Sequence, residues 1–247
     1  MASFASKTGP VRFASINIEG DKHLHAVSSF LKNFQPDVVC FQELTSSSVE
    51  FFEKALGMEG HFLPMTKDDI EFPGTLFGIG LYSALPVSAV SARYYYGGSG
   101  NLPTLILEDE KTIWRALLQA TVKKDSQFFT VATTHFTKTS DGSTSEKQRQ
   151  DLKKLMSLLD AVPEFVLAGD FNAPRGREIF TALASRYKDN IPAEYTTSID
   201  KNFHKAGGLL LMIDCLFSTP QYEVSDVRLT DGVSDHLAIT ALITKKV

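Results

Sequence analysis

Short apolar runs, each closed by a polar residue, recur along this chain, and their periods predict its elements. Residues 11–18 alternate as a strand, with Phe13 and Ser15 set against Ala14, Ile16 and Ile18. Over 21–34, Leu24, Val27, Leu31 and Phe34 share one helical stripe, which Pro36 stops. The run Val38–Val39–Cys40–Phe41 is continuously apolar, as in a strand covered on both faces. A helix is predicted over 47–56, then strands over 77–82, 87–94, 113–122 and 127–134. Ser145 followed by Gln148 is a capping signal for a helix whose Leu152, Leu155 and Leu159 fall on one side. A buried strand follows at 165–168, and a helix carrying Ile179, Leu183 and Tyr187 comes after Pro174. Three strands near 210–217, 223–229 and 238–244 complete the pattern.

Four strands in the middle have no helix between them, which excludes a purely parallel doubly wound sheet. The pattern predicts an α/β chain of two packed sheets flanked by helices. No repeat, low-complexity segment or linker divides it, so 1–247 reads as a single domain with residues 1–10 as a short tail.

Composition changes this picture little. With 247 residues, 43% of them hydrophobic, the chain buries a core without disulfide or metal staples. Cys40 and Cys215 both lie inside apolar runs, as reduced, buried cysteines do. The net charge is −4, and basic residues cluster only as the pairs Lys123–Lys124, Lys153–Lys154 and Lys245–Lys246. That argues against broad tracking of a nucleic-acid backbone and leaves room for a short, local contact. The N-terminus lacks a long apolar stretch, and no run reaches the length of a membrane span. The expectation is a soluble, cytoplasmic monomer.

The chemistry sits where apolar strands stop. Asn17 and Glu19 close the first strand, Glu43 the second, His135 another, and Asp170 with Asn172 follows FVLAG. Asp214 lies within LLLMIDCLF, where a carboxylate needs a partner, and Asp235–His236 opens the last strand. Taken singly, each has a plain structural explanation: a solvated strand end, a helix cap, an Asx turn at Asp170, a hydrogen-bonded core histidine. Together, strand ends lying side by side would gather carboxylates that repel one another. A hard divalent cation resolves that repulsion, and the oxygen-rich set suits Mg²⁺ better than Zn²⁺, for which no Cys/His cluster exists.

In order, Asn17 in INIEG, Gln42–Glu43, His135 in THF, Gly169–Asp170–Phe171–Asn172, Asp214 in IDCLF and Ser234–Asp235–His236 resemble the motif set of the endonuclease/exonuclease/phosphatase superfamily. The resemblance runs from about residue 11 to 244. It implies a four-layer α/β sandwich of two mixed sheets flanked by helices, and a Mg²⁺- or Mn²⁺-dependent phosphoesterase. It implies that Glu43 is the main metal carboxylate, assisted by Asn17, Glu19 and Asp235. Asp170 would orient or deprotonate water, and Asn172 would hold a phosphate oxygen. His236, paired with Asp214, and His135 would contact the phosphate, and Arg115 would be either a further phosphate contact or a member of a salt bridge. The chain lacks the Trp that commonly precedes the Asn of the first strand and has Lys147 where an Arg often stands, so no branch is assigned.

Substrate is left open among three readings. The preferred one is a phosphodiester in nucleic acid or a nucleic-acid adduct. The alternative is a small or lipid-linked phosphate such as an inositol phosphate or phospholipid headgroup, and the third is a silent binding scaffold. Tyr94–Tyr95–Tyr96 fits either a base-stacking platform or a packed strand edge.

Overall fold

The fold is a computed structural model that describes residues 9–107, 109–139 and 142–246. It begins with β1 (Val11–Asn17), α1 (Leu24–Phe34), β2 (Val38–Thr45), α2 (Val49–Leu56), β3 (Glu59–Asp68) and β4 (Thr75–Ser83). The middle is β5 (Val87–Tyr96), β6 (Arg115–Lys124), β7 (Gln127–His135), α3 (Glu146–Asp160) and β8 (Val166–Asp170). Then follow α4 (Glu178–Ala184), β9 (Lys188–Asp189), β10 (Asp214–Ser218), β11 (Tyr222–Thr230) and β12 (Ala238–Lys245).

The strands form two six-stranded sheets, ordered β11-β12-β1-β2-β4-β3 and β5-β6-β7-β8-β10-β9. Each contains one parallel pair, β1/β2 and β7/β8, among antiparallel neighbours. Parallel neighbours need a crossover, and α1 and α3 supply it. Alternation along the strands sorts side chains into layers. Val11 and Phe13 of β1, Val38 and Cys40 of β2, and Val166 and Ala168 of β8 meet in the core between the sheets. Ala14, Ile16, Val39 and Phe41 face outward onto Val27 and Leu31 of α1 and Phe52 of α2. Phe165, Leu167, Cys215 and Phe217 face Leu155 and Leu159 of α3 and Leu183 of α4. Three cores thus separate four layers, the expected sandwich. Because both faces are buried, the central strands read as unbroken apolar runs.

Local signals hold where chemistry is local. Ser145 and Gln148 cap α3 reciprocally, and α1 ends on Gln35 in the left-handed conformation just before Pro36. Both cysteines are free and buried. Three expectations are corrected. Residues 59–68 form β3, where the pattern predicted no element. Pro64 fits there because β3 is an edge strand whose pairing with β4 shifts between Pro64 and Thr66. Residues 210–213 join no strand, Leu210 is 71% exposed, and β10 starts at Asp214. Tyr187 lies beyond the end of α4 and packs edge-on to Phe165. Gly9 and Pro10 of the expected tail precede β1 without regular structure, and residues 1–8 lie outside the described residues. Among the described residues no helix is long and apolar enough to cross a membrane.

Between β7 and β8, Gly169 (φ 151°) leaves no room for a side chain, since a Cβ there would stand 2.0 Å from the Thr134 carbonyl oxygen. That neighbour is backbone in a ladder and has nowhere to move. Gly169→Ala is expected to destabilise the fold by about 3 kcal/mol, the upper end for overpacking, read from urea unfolding. A loss below about 0.5 kcal/mol, typical of a surface change, would mean this pairing does not hold the strands as closely as described.

Candidate active site

The same alternation that builds the inter-sheet core delivers the polar residues to its rim. Ala168 and Leu216 lie in that core, so Asp170 and Asp214, two residues away on their strands, share its face. His135, Asp170 and Asp214 stand directly opposite one another on β7, β8 and β10. On the other sheet, Phe13 lies in the core and Asn17 shares its face four residues on. Asn17 Nδ2 donates to Asp170 Oδ2 at 3.1 Å, so the carboxyl ends of β1 and β8 meet at one rim. Below them, Gln42 Nε2 donates to Thr133 Oγ1 at 2.9 Å and ties the sheets again.

Glu43 breaks the alternation. Strict period two would send it outward with Phe41. Instead the β2/β4 pairing shifts between Gln42 and Leu44, and Glu43 takes a left-handed φ of 57°. Such a bulge re-aims a side chain. Glu43 Oε1 comes to 3.8 Å from His135 Nε2, and that nitrogen is 3.5 Å from Asp170 Oδ2. Asn172 is also left-handed, with its backbone N–H on Asp170 Oδ1 at 2.8 Å and its Nδ2 on the Phe136 carbonyl at 3.2 Å. The Asx turn is therefore real, and it sets Asn172 beside the rim. Non-glycine residues in this conformation cost free energy and gather at functional sites.

Each charge feels the others. Desolvation raises the Glu43 carboxyl, Asp235 raises it further, and His236, Asn17 and Lys138 offset part of that. Burial likewise raises Asp170, followed by Asp214 and Glu43, against His236 and the Asn172 backbone N–H. Burial lowers His135, and the positive charges of Arg115, His236 and Lys138 lower it more, so its ring is neutral. His236 goes the other way. Its own burial favours the neutral ring, but Asp214, accepting from Nδ1 at 2.7 Å, with Asp170 and Asp235, pushes it up to about 10. The expected Asp214–His236 pair is present and both members are buried.

Among the described residues, two groups of side chains present metal-competent atoms within 4.8 Å of one another: Glu43, His135 and Asp170, and His204, Asp235 and His236. Glu19 belongs to neither. Its carboxylate is taken by Lys22 at 2.6 Å and His23 at 3.0 Å, because a left-handed turn at Glu19 (φ 49°) directs the chain toward those residues. Arg115 is also kept from the phosphate-contact role. It is 1% exposed, with Nη1 donating to the His135 carbonyl at 3.2 Å, so it supports the strand end from behind, closed off from a ligand. The tyrosines are packed: Tyr94 donates to the Pro64 carbonyl, Tyr95 bonds Thr134, and Tyr96 lies under the Lys147 ammonium. His204 is a rim residue that the sequence reading passes over. A lone histidine in a polar loop gives no periodic signal, and only the folded loop brings it to Asp235.

The profile of the Endonuclease/Exonuclease/phosphatase family matches residues 14–236. The endonuclease/exonuclease/phosphatase from Bacteroides vulgatus superposes with a TM-score of 0.73 at 18% identity, covering 96% of this chain and 99% of that one. The Bacteroides thetaiotaomicron mannosyl-6-phosphatase gives 0.67 at 14% identity over 95% and 99% of the two chains. D. rerio TDP2, complexed with single-strand DNA product, gives 0.67 at 17% identity over 96% and 99%. No curated protein sequence matches. The structural likenesses share the fold.

The Asp214–His236 pair makes a solution prediction. A group raised by a partner keeps its proton until pH passes the raised value, so His236 is expected to remain an imidazolium at pH 8 in imidazole NMR. In Asp214→Asn its midpoint should fall by about 1–3 pH units, the effect of one adjacent opposite charge. An unmoved midpoint would show that Asp214 does not set the charge of His236.

Proposed function

The chain belongs to the endonuclease/exonuclease/phosphatase family, and from that membership we infer that it is a Mg²⁺-dependent phosphoesterase acting on a phosphodiester, with nucleic acid or a nucleic-acid adduct as preferred substrate. One observation carries this reading: buried, mutually repelling carboxylates meet a buried imidazolium where the two sheets join.

The donor set fits a divalent cation. Burial and then neighbouring carboxylates raise both Glu43 and Asp170, and in the Glu43, His135 and Asp170 group two of the three ligand atoms are the carboxylate oxygens that Mg²⁺ prefers. Glu43 would hold the ion, with Asn17 and Asp235 beside it. Bound there, the ion supplies positive charge to the non-bridging oxygens of a phosphoryl group.

The remaining steps belong to the chain. Asp170 is oriented by Asn17 and the Asn172 backbone N–H, and its raised proton affinity suits it to take a proton from attacking water. His236, fixed by Asp214, donates to a phosphoryl oxygen as charge develops there. Asn172 has one amide hydrogen on the Phe136 carbonyl and a second for a phosphoryl oxygen. His135 stands 3.5 Å and 3.8 Å from Asp170 and Glu43, too far for hydrogen bonds, so its Nε2 is uncommitted and turns to the phosphate.

A second reading, a phosphatase of small or lipid-linked phosphates, draws on the net charge of −4 without a basic stripe. The mannosyl-6-phosphatase also shares the fold as closely as TDP2, each with a TM-score of 0.67. Against a silent scaffold stands the cluster itself, since a fold with no use for it would gain by neutralising it.

A panel of abasic, nicked, single-stranded and 5′-phosphotyrosyl DNA, RNA, sphingomyelin and inositol phosphates, with Mg²⁺ or EDTA, decides between them. Turnover of one nucleic-acid class, abolished by EDTA, is expected. Turnover confined to inositol phosphates or sphingomyelin favours the second reading, and none at all with a folded protein favours the scaffold. Glu43→Gln is expected to keep the fold and weaken Mg²⁺ binding in calorimetry by at least about tenfold. Unchanged affinity would remove Glu43 as the principal ligand.

A further inference from the structure

One imidazole at the rim has no part in the mechanism above. His204 lies on the loop between Asp200 and β10, partly exposed, with a ring nitrogen within 4.8 Å of Asp235 and His236 atoms. Its ring centroid is 6.1 Å from that of His236, edge to face. The turn that carries it is closely held. Asp200 accepts from the backbone N–H groups of Asn202 at 2.8 Å and Gly232 at 2.7 Å. The His204 N–H donates to the Asp200 carbonyl at 2.9 Å, and the Asp200 N–H to the Asp235 carbonyl at 2.8 Å. Phe203 packs on His23 with centroids 5.1 Å apart, and Lys205 pairs with Glu71 at 3.3 Å. A side chain on so anchored a turn is set at a fixed place relative to His236.

The tautomer follows from one local bond. His204 Nδ1 accepts from the Ala206 backbone N–H at 3.0 Å, so in the neutral ring the proton sits on Nε2. The ring can then offer an N–H and no lone pair. A metal ligand would need the opposite arrangement, a bare Nε2, and would give up the Ala206 bond. His236, its neighbour in the group, has Nδ1 engaged by Asp214.

We propose that His204 is a substrate-contacting residue whose Nε2–H donates to a non-bridging oxygen of the phosphoryl group beside His236. This rests on the phosphoesterase reading for the identity of the ligand. It gives the rim two adjacent imidazole donors, a charged one on the last strand and a neutral one on the loop. The neutral donor adds direction and hydrogen bonding without adding to the charge that His236 already carries.

His204→Ala should lower kcat/KM by about 10- to 100-fold, the loss of one hydrogen bond to a charged oxygen. His204→Gln, whose amide nitrogen reaches the Nε2 position, should recover most of it. Mg²⁺ affinity in calorimetry should be unchanged in both variants. Independently of turnover, imidazole ¹⁵N NMR should show His204 as the Nε2–H tautomer, and inorganic phosphate should shift its Nε2 signal together with that of His236. The proposal fails if His204→Ala stays within about twofold of wild type, if Mg²⁺ affinity falls with activity, or if phosphate moves His236 and leaves His204 unmoved. Should no phosphoester be hydrolysed while phosphate still shifts His204, the hydrolase reading falls and the contact stands.

Discussion

Mutual repulsion among Glu43, Asp170, Asp214 and Asp235 is the constraint around which this molecule is arranged. A carboxylate lowered into a protein interior loses its hydration, and a second one nearby makes the loss worse. Here Asp170 and Asp214 are direct cross-strand neighbours, and both are buried. Such a pair persists only where something offsets it. Among the described residues the compensation is local: an imidazolium on Asp214, and the Asn17 amide and the Asn172 N–H on Asp170. Those groups leave both Glu43 and Asp170 with raised proton affinity, which is what makes a divalent cation the natural complement.

The architecture determines where this cluster can exist. Each sheet contributes one β-α-β unit, and the carboxyl ends of the two parallel pairs open on the same rim. Strand ends are where alternation can change from core to site without crossing a layer. The Phe13 face of β1 turns polar at Ser15 and Asn17, and the Ala168 face of β8 at Asp170. Where alternation alone gives the wrong face, the backbone deviates, as at the Glu43 bulge and the left-handed Asn172. The site thus costs conformational strain as well as electrostatic work, and the packed cores on either side hold it in place.

Much of this was legible in the sequence because it depends on short-range pattern. The central strands, the stripes of α1 and α3, the α3 cap and the sandwich itself follow from periodicity and capping chemistry. Asp214 needed a partner because it is a carboxylate beside an apolar run, and His236 is that partner. What the sequence concealed depends on the third dimension. β3 went unpredicted, because the tolerance of Pro64 within it comes from an edge position that only the assembled sheet defines. Arg115 could have faced a phosphate or the core, and the face of β6 that it occupies turns it toward the backbone of His135. Glu19 lies two residues from Asn17 but is carried off by a turn, and His204 is brought in by a loop fold that no local signal announces.

If the carboxylates are held together by a cation, the most direct test is the ion itself. Crystals grown with Mn²⁺ and measured at its absorption edge should give an anomalous peak about 2.1 Å from a Glu43 oxygen, within the range of hard-cation coordination. It should lie between the ends of β1, β2 and β8. A map with no peak at Glu43, or with its peak confined to another part of the molecule, would contradict the account.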